Sequence, residues 1–198
     1  MTMKRKMPLL YKYGKFFLTP LFKFYYNPTV IGKENIPTDG SVVIAGNHKH
    51  LYDQYLTVIS TNRFVTYMAK REYFDDKKTK WFYKGTGCIP VDRSIHDDIA
   101  KASAIEVLDN GDALGIFPDG TRNKTDAFLL PFKYGAVSMA KKTDSYILPF
   151  GITGDYKFRS KNLTIRYGKP FKVGDMDLVD ANEKLYKEVE KLMKESME

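Results

Sequence analysis

The sequence predicts an α/β fold, a mixed and largely parallel sheet flanked by helices, and three observations predict it. From Pro28 onward, short apolar runs alternate with amphipathic or polar stretches, the pattern of strands joined through helices. The 198 residues are 43% apolar and 14% aromatic, enough for a sizeable core, which excludes a disordered chain. The single cysteine, Cys88, excludes an internal disulfide or a thiolate-rich zinc site and suits a reducing compartment.

The expected strands are 29–31, 41–45, 64–69, 88–91, 114–117, 146–152 and 163–167. The expected helices are 53–60, 74–84, 97–109, 134–142 and 180–196. Asp109-Asn110-Gly111 closes the third of these with residues that tolerate a left-handed turn. In the last, Leu185, Val189, Leu192 and Met193 form a stripe at helical spacing that caps the core. With no internal repeat or low-complexity linker, residues 28–198 read as one domain.

Residues 1–27 read differently. The first 33 positions hold seven of the 32 basic residues and no acidic one, so the net charge of +8 is concentrated there. Leucines, phenylalanines and tyrosines fill the spaces between Lys12, Lys15 and Lys23. At roughly 100° per residue these lysines share an arc of about 80° on a helix. Pro20 is expected to split the stretch into a pair of short amphipathic helices. Aromatics with lysines and no acids suit the boundary between lipid headgroups and acyl chains, so a membrane-docking segment is the expectation. A buried helical hairpin is the alternative. A signal peptide fits poorly, because lysines interrupt the apolar stretch and no cleavage site follows. Single-stranded nucleic acid also suits cations among aromatics, but no basic patch recurs elsewhere, and no nucleic-acid partner is expected. No run of 18 apolar residues exists to span a bilayer as a simple helix.

Four motifs carry the candidate chemistry. In Gly46-Asn47-His48-Lys49-His50-Leu51-Tyr52-Asp53, His48 can take a proton near neutral pH and Asp53 can fix its tautomer. Their spacing is wrong for one face of a straight helix, so they meet only if His48 lies in the loop and Asp53 in the following first turn. His48, His50 and Asp53 also suggest a metal site, but too few further ligands exist, and the acid–base pair is preferred. In Gly85-Thr86-Gly87-Cys88-Ile89-Pro90-Val91-Asp92-Arg93, glycines allow close approach and Arg93 can clamp a phosphate. Cys88 reads as a small core residue. In Ile116-Phe117-Pro118-Asp119-Gly120-Thr121-Arg122-Asn123, turn amides with Thr121 and Arg122 make an anion cradle. The fourth, Ile147-Leu148-Pro149-Phe150-Gly151, is an apolar strand with a proline.

In this order the strings resemble the glycerolipid acyltransferase family, specifically the bacterial 1-acylglycerol-3-phosphate acyltransferases. The family pattern N-H-x-x-x-x-D matches Asn47 to Asp53, and G-x-x-x-x-x-R matches Gly87 to Arg93. F-P-E-G-T-R matches Phe117 to Arg122, with Asp119 in place of the usual glutamate, and the apolar-proline strand matches Ile147 to Pro149. The resemblance covers residues 28–170, and His50 stands where serine is common. It implies that His48 and Asp53 are catalytic. It further implies that Lys70, Arg93, Asp119, Gly120, Thr121 and Arg122 bind lysophosphatidate. The implied donor is acyl-coenzyme A or acyl carrier protein, a co-substrate, with no cofactor or metal. The implied place is the cytoplasmic face of the cell membrane, peripheral or monotopic. Another lysolipid, glycerol 3-phosphate, or a non-catalytic lipid-binding module are the alternatives.

Overall fold

The computed structural model describes residues 5–92, 94–95 and 97–198. Its strands are β1 (Thr29–Ile31), β2 (Val42–Gly46), β3 (Val65–Lys70), β4 (Ile89–Val91), β5 (Ala113–Ile116), β6 (Tyr146–Thr153) and β7 (Thr164–Tyr167). Each lies within one residue of its sequence expectation. They form one sheet in the order β1-β7-β6-β2-β5-β3-β4. Neighbours are parallel throughout except β6 and β7, which are antiparallel. The sheet is therefore mixed and largely parallel, as expected.

The helices are α1 (Leu9–Tyr26), α2 (Asp53–Ser60), α3 (Glu72–Asp75), α4 (Lys80–Gly85), α5 (Asp98–Asp109), α6 (Gly135–Lys142) and α7 (Leu178–Glu195). They cover both faces of the sheet, so β2 is buried along its whole length and reads as a continuous apolar run. Val43 and Ala45 face a core built with α5, α6 and α7, including the expected Leu185 and Val189 stripe. Val42 and Ile44 face the other way, toward Leu56 and Ile59 of α2 and Phe22 of α1. Alternate residues of one strand thus feed two cores.

Three expectations are corrected. The 74–84 helix is broken into α3 and α4, because Asp76 turns extended and its carboxylate accepts the Lys78 amide at 2.8 Å, a local bond that competes with the helix. The N-terminal stretch is one helix, not a pair. Pro20 lies inside α1 on its exposed side, where one missing amide bond is tolerated, and the Thr19 hydroxyl bonds back to the Lys15 carbonyl at 2.5 Å. Lys15 does not share an outward arc with Lys12 and Lys23. Its ammonium donates to the Thr61 carbonyl at the end of α2, and burial lowers its pKa.

One side of α1 belongs to the core. Tyr11 meets Phe64 edge-on at 4.8 Å, and Phe22 meets Tyr55 at 5.0 Å. The other side is apolar and open: Leu9, Phe16, Phe17, Leu21 and Phe24 are 63–71% exposed. Among the described residues, no helix is long and apolar enough to cross a membrane.

Candidate active site

The first and third motifs meet beyond the carboxyl ends of β2 and β5, where open α/β sheets place their ligand sites. Gly46 ends β2 where a Cβ would stand 2.2 Å from the Phe150 carbonyl oxygen, so only glycine lets β2 and β6 pair this far. Asn47, buried, carries the pairing one step further with its side chain. Its Nδ2 donates to the Ile152 carbonyl at 2.9 Å and its Oδ1 accepts the Ile152 amide at 2.7 Å. The backbone is thereby fixed just before His48.

His48 lies in the loop and Asp53 in the first turn of α2, and they meet as the spacing required. His48 Nδ1 is 2.8 Å from Asp53 Oδ2; the carboxylate is fully buried and the imidazole 15% exposed. Asp53 Oδ2 also accepts the amides of Lys49 at 2.6 Å and His50 at 2.7 Å, while Oδ1 accepts the Tyr156 hydroxyl at 2.7 Å. A carboxylate accepting from all sides leaves His48 Nδ1 to carry the proton, which makes Nε2 the basic nitrogen. The imidazole lies flat on Phe117, 4.1 Å between centroids at 15°.

The third motif locks onto the first. Asp119, 5% exposed, accepts the His48 backbone amide at 2.8 Å, and the His48 carbonyl accepts the Asn123 amide at 2.7 Å. Asp119 thus holds the His48 loop. Gly120 sits at φ +67°, its amide donating to the Phe117 carbonyl at 2.9 Å. A side chain there would be strained and would press within 3.3 Å of Lys133. Thr121 is exposed on the same loop. The Arg122 charge is felt at both His50 and Tyr83. Burial lowers the His50 pKa, Asp53 opposes this, and the Arg122, Lys49 and His48 charges add to it. The Tyr83 hydroxyl is raised by burial first, with Arg122 acting against the shift.

Lys70 ends β3, exposed and in register with Val91, two strands from β2 in the sheet order. Arg93 lies outside the described residues. His48 and His50 do not converge as a metal pair: His50 stacks on Tyr156 at 4.2 Å and its Nδ1 accepts the Tyr52 amide at 3.3 Å. A cavity of about 440 Å³ opens beside the site, with Met68, Val91, Ile116, Phe117, Lys133 and Met139 in its wall. Sequence reasoning missed Tyr156, which sits 103 positions from Asp53 with no local signal, and Lys133, which reaches the Gly120 turn from beyond the third motif.

A histidine held by a buried carboxylate, with an arginine-bearing turn tied to its loop, is an arrangement able to take a proton from a hydroxyl. Residues 27–153, well over half the chain, match the family described as Acyltransferase, and the chain belongs to that family. It is 30% identical over 161 residues to the 1-acyl-sn-glycerol-3-phosphate acyltransferase of Bacillus subtilis, covering 79% of each chain. To the protein of that name from Borreliella burgdorferi it is 32% identical over 153 residues, 76% of this chain and 61% of the relative. The fold is also that of PlsC from Thermotoga maritima, a 1-acyl-sn-glycerophosphate (LPA) acyltransferase. The TM-score is 0.77 at 24% identity, covering 94% of this chain and 79% of that one.

Proposed function

We propose that the protein transfers an acyl chain from a thioester donor to the free sn-2 hydroxyl of 1-acylglycerol 3-phosphate, yielding phosphatidate for phospholipid synthesis. The observation that carries the reading is the 2.8 Å contact between His48 Nδ1 and Asp53 in a member of the acyltransferase family. The names of the Bacillus subtilis and Borreliella burgdorferi relatives support the acceptor.

His48 Nε2 takes the proton of the acceptor hydroxyl as its oxygen attacks the thioester carbonyl. Asp53 offsets the charge that develops on the imidazole. Collapse of the tetrahedral intermediate expels the thiolate, which takes the proton back from His48. The thioester is already activated, so the reaction draws on no cofactor or metal and forms no acyl-enzyme. Lys70, Arg93 and Arg122 supply positive charge to the acceptor phosphate; Gly120 and Thr121 shape the turn that bears Arg122, and Asp119 holds that turn to His48. The donor is acyl-coenzyme A or acyl carrier protein.

Both substrates carry acyl chains, and a bilayer delivers the acceptor. The open apolar side of α1, with Lys12 and Lys23 exposed beside it, serves as the docking face of a peripheral enzyme on the cytoplasmic side of the membrane. Residues 1–27 then act as the docking segment and 28–198 as the catalytic domain.

The test follows thiol release and phosphatidate together, with vesicles containing lysophosphatidate and a panel of acyl-coenzyme A and acyl-carrier donors. Equal yields that vanish in His48→Ala are expected. Thiol without phosphatidate overturns the acceptor, and full activity in His48→Ala overturns the base.

A further inference from the structure

We propose that Tyr156 is a positioning residue of the His48–Asp53 pair, its hydroxyl fixing the Asp53 carboxylate and through it the tautomer and orientation of His48. The proposal rests on the reading of His48 as the base.

Three of the donors to Asp53, including His48 itself, converge on Oδ2. Such an arrangement leaves the other oxygen to be held by something else, and Tyr156 holds it at 2.7 Å. The ring of Tyr156 is itself fixed from several directions. It stacks on His50 at 4.2 Å and 19°, meets Tyr26 of α1 edge-on at 5.6 Å, and approaches Tyr52 at 6.2 Å. Its loop is fastened to α1, where the Arg159 amide donates to the Tyr25 carbonyl at 2.7 Å and Phe158 meets Tyr25 at 5.1 Å. A tyrosine held this firmly lends its direction to the carboxylate it touches.

The charged and titratable groups around the pair come from four elements. Lys49 and His50 lie on the first loop, Asp119 and Arg122 on the loop after β5, Tyr67 on β3, and Tyr156 between β6 and β7. Burial first, and then the Asp53 charge and hydrogen bond, raise the Tyr156 hydroxyl far above the usual tyrosine range. It therefore remains a neutral donor at every assay pH. Without it, the carboxylate keeps its charge but is free to turn, and the His48 Nδ1 bond loses its fixed direction.

The decisive comparison is Tyr156→Phe against wild type, with kcat and both KM values measured across pH on lysophosphatidate vesicles. The phenyl ring keeps the stack on His50, and circular dichroism with thermal melting checks the fold. Loss of one hydrogen bond to a charged group lowers kcat by roughly ten- to a hundredfold, with both KM values held. In an Asp53→Ala background, where the hydroxyl has no side-chain partner left at position 53, single-turnover rates at high enzyme concentration show no further loss from Tyr156→Phe.

Unchanged kcat in Tyr156→Phe overturns the proposal, as does a raised KM, which makes Tyr156 a substrate contact. A loss that persists undiminished in Asp53→Ala reduces Tyr156 to a structural role and also overturns it. His48→Ala separates the two readings: if that variant stays active, the base assignment fails, whatever Tyr156 does.

Discussion

Replacing Asp53 by asparagine removes one charge and almost no volume, and the surrounding contacts determine how the amide sits. Its oxygen belongs on the Oδ2 side, where the amides of Lys49 and His50 and the Nδ1 proton of His48 all donate. Its NH2 then faces the Tyr156 hydroxyl, which rotates to accept. The fold is kept, and the loss falls on the transition state, where the imidazole becomes cationic. With roughly 4 Å between charge centres and an effective dielectric near 20, the carboxylate stabilises that cation by about 4 kcal/mol. At about 1.4 kcal/mol per factor of ten, Asp53→Asn lowers kcat roughly a thousandfold. The assay is thiol release with saturating lysophosphatidate on vesicles, beside a thermal melt showing a folded variant. A folded Asp53→Asn enzyme within threefold of wild-type kcat refutes the electrostatic role given to this carboxylate.

Three more expectations can be checked with the same preparations. Arg122→Ala raises the KM for lysophosphatidate about tenfold while kcat is largely kept, because the lost interaction binds acceptor and transition state alike; initial rates over an acceptor series measure it. Asn47→Leu leaves the buried amide and carbonyl of Ile152 without partners. At about 1–3 kcal/mol for each group, this drops Tm by roughly 4–20 °C in calorimetry. Asp97 is held down to about 2 by the backbone amides of Asp92 and Ala100 and then by Arg71. Its contribution is present above the ordinary carboxylate value and disappears as pH falls toward 2. Urea titrations between pH 5 and 2 therefore find an acid-sensitive increment in wild type that Asp97→Asn lacks.

The strands were legible because burial on both faces writes an unbroken apolar run, as in Val42–Gly46, and turn residues punctuate such runs. The His48–Asp53 meeting was legible because its partners lie five positions apart and a loop followed by a helix turn brings them together. What stayed hidden depends on contacts between distant segments. Nothing near Tyr156 announces Asp53, and nothing in the pattern around Lys15 reveals that the Thr61 carbonyl will capture its ammonium. The break between α3 and α4 turned on one carboxylate choosing a nearby amide, a local competition that periodicity does not register. Asp119 is a further instance. The motif letter gives no sign that its carboxylate also grips the His48 backbone.

The reversal of direction between β6 and β7 has a consequence for how such an enzyme diversifies. A parallel neighbour would have required the chain to cross to the far end of the sheet; an antiparallel one lets it turn back at the catalytic end. The pair closes with Thr153 opposite Thr164, and Gly154 passes so near the Asn162 carbonyl that any side chain there would collide. Residues 155–161 therefore form a cassette with both ends pinned side by side. Exchanging it leaves the strand order intact, yet replaces in one step the group behind Asp53 and the seat of the open-faced helix α1. The hold on Asp53 and the placement of α1's open apolar side are, in this architecture, inherited together.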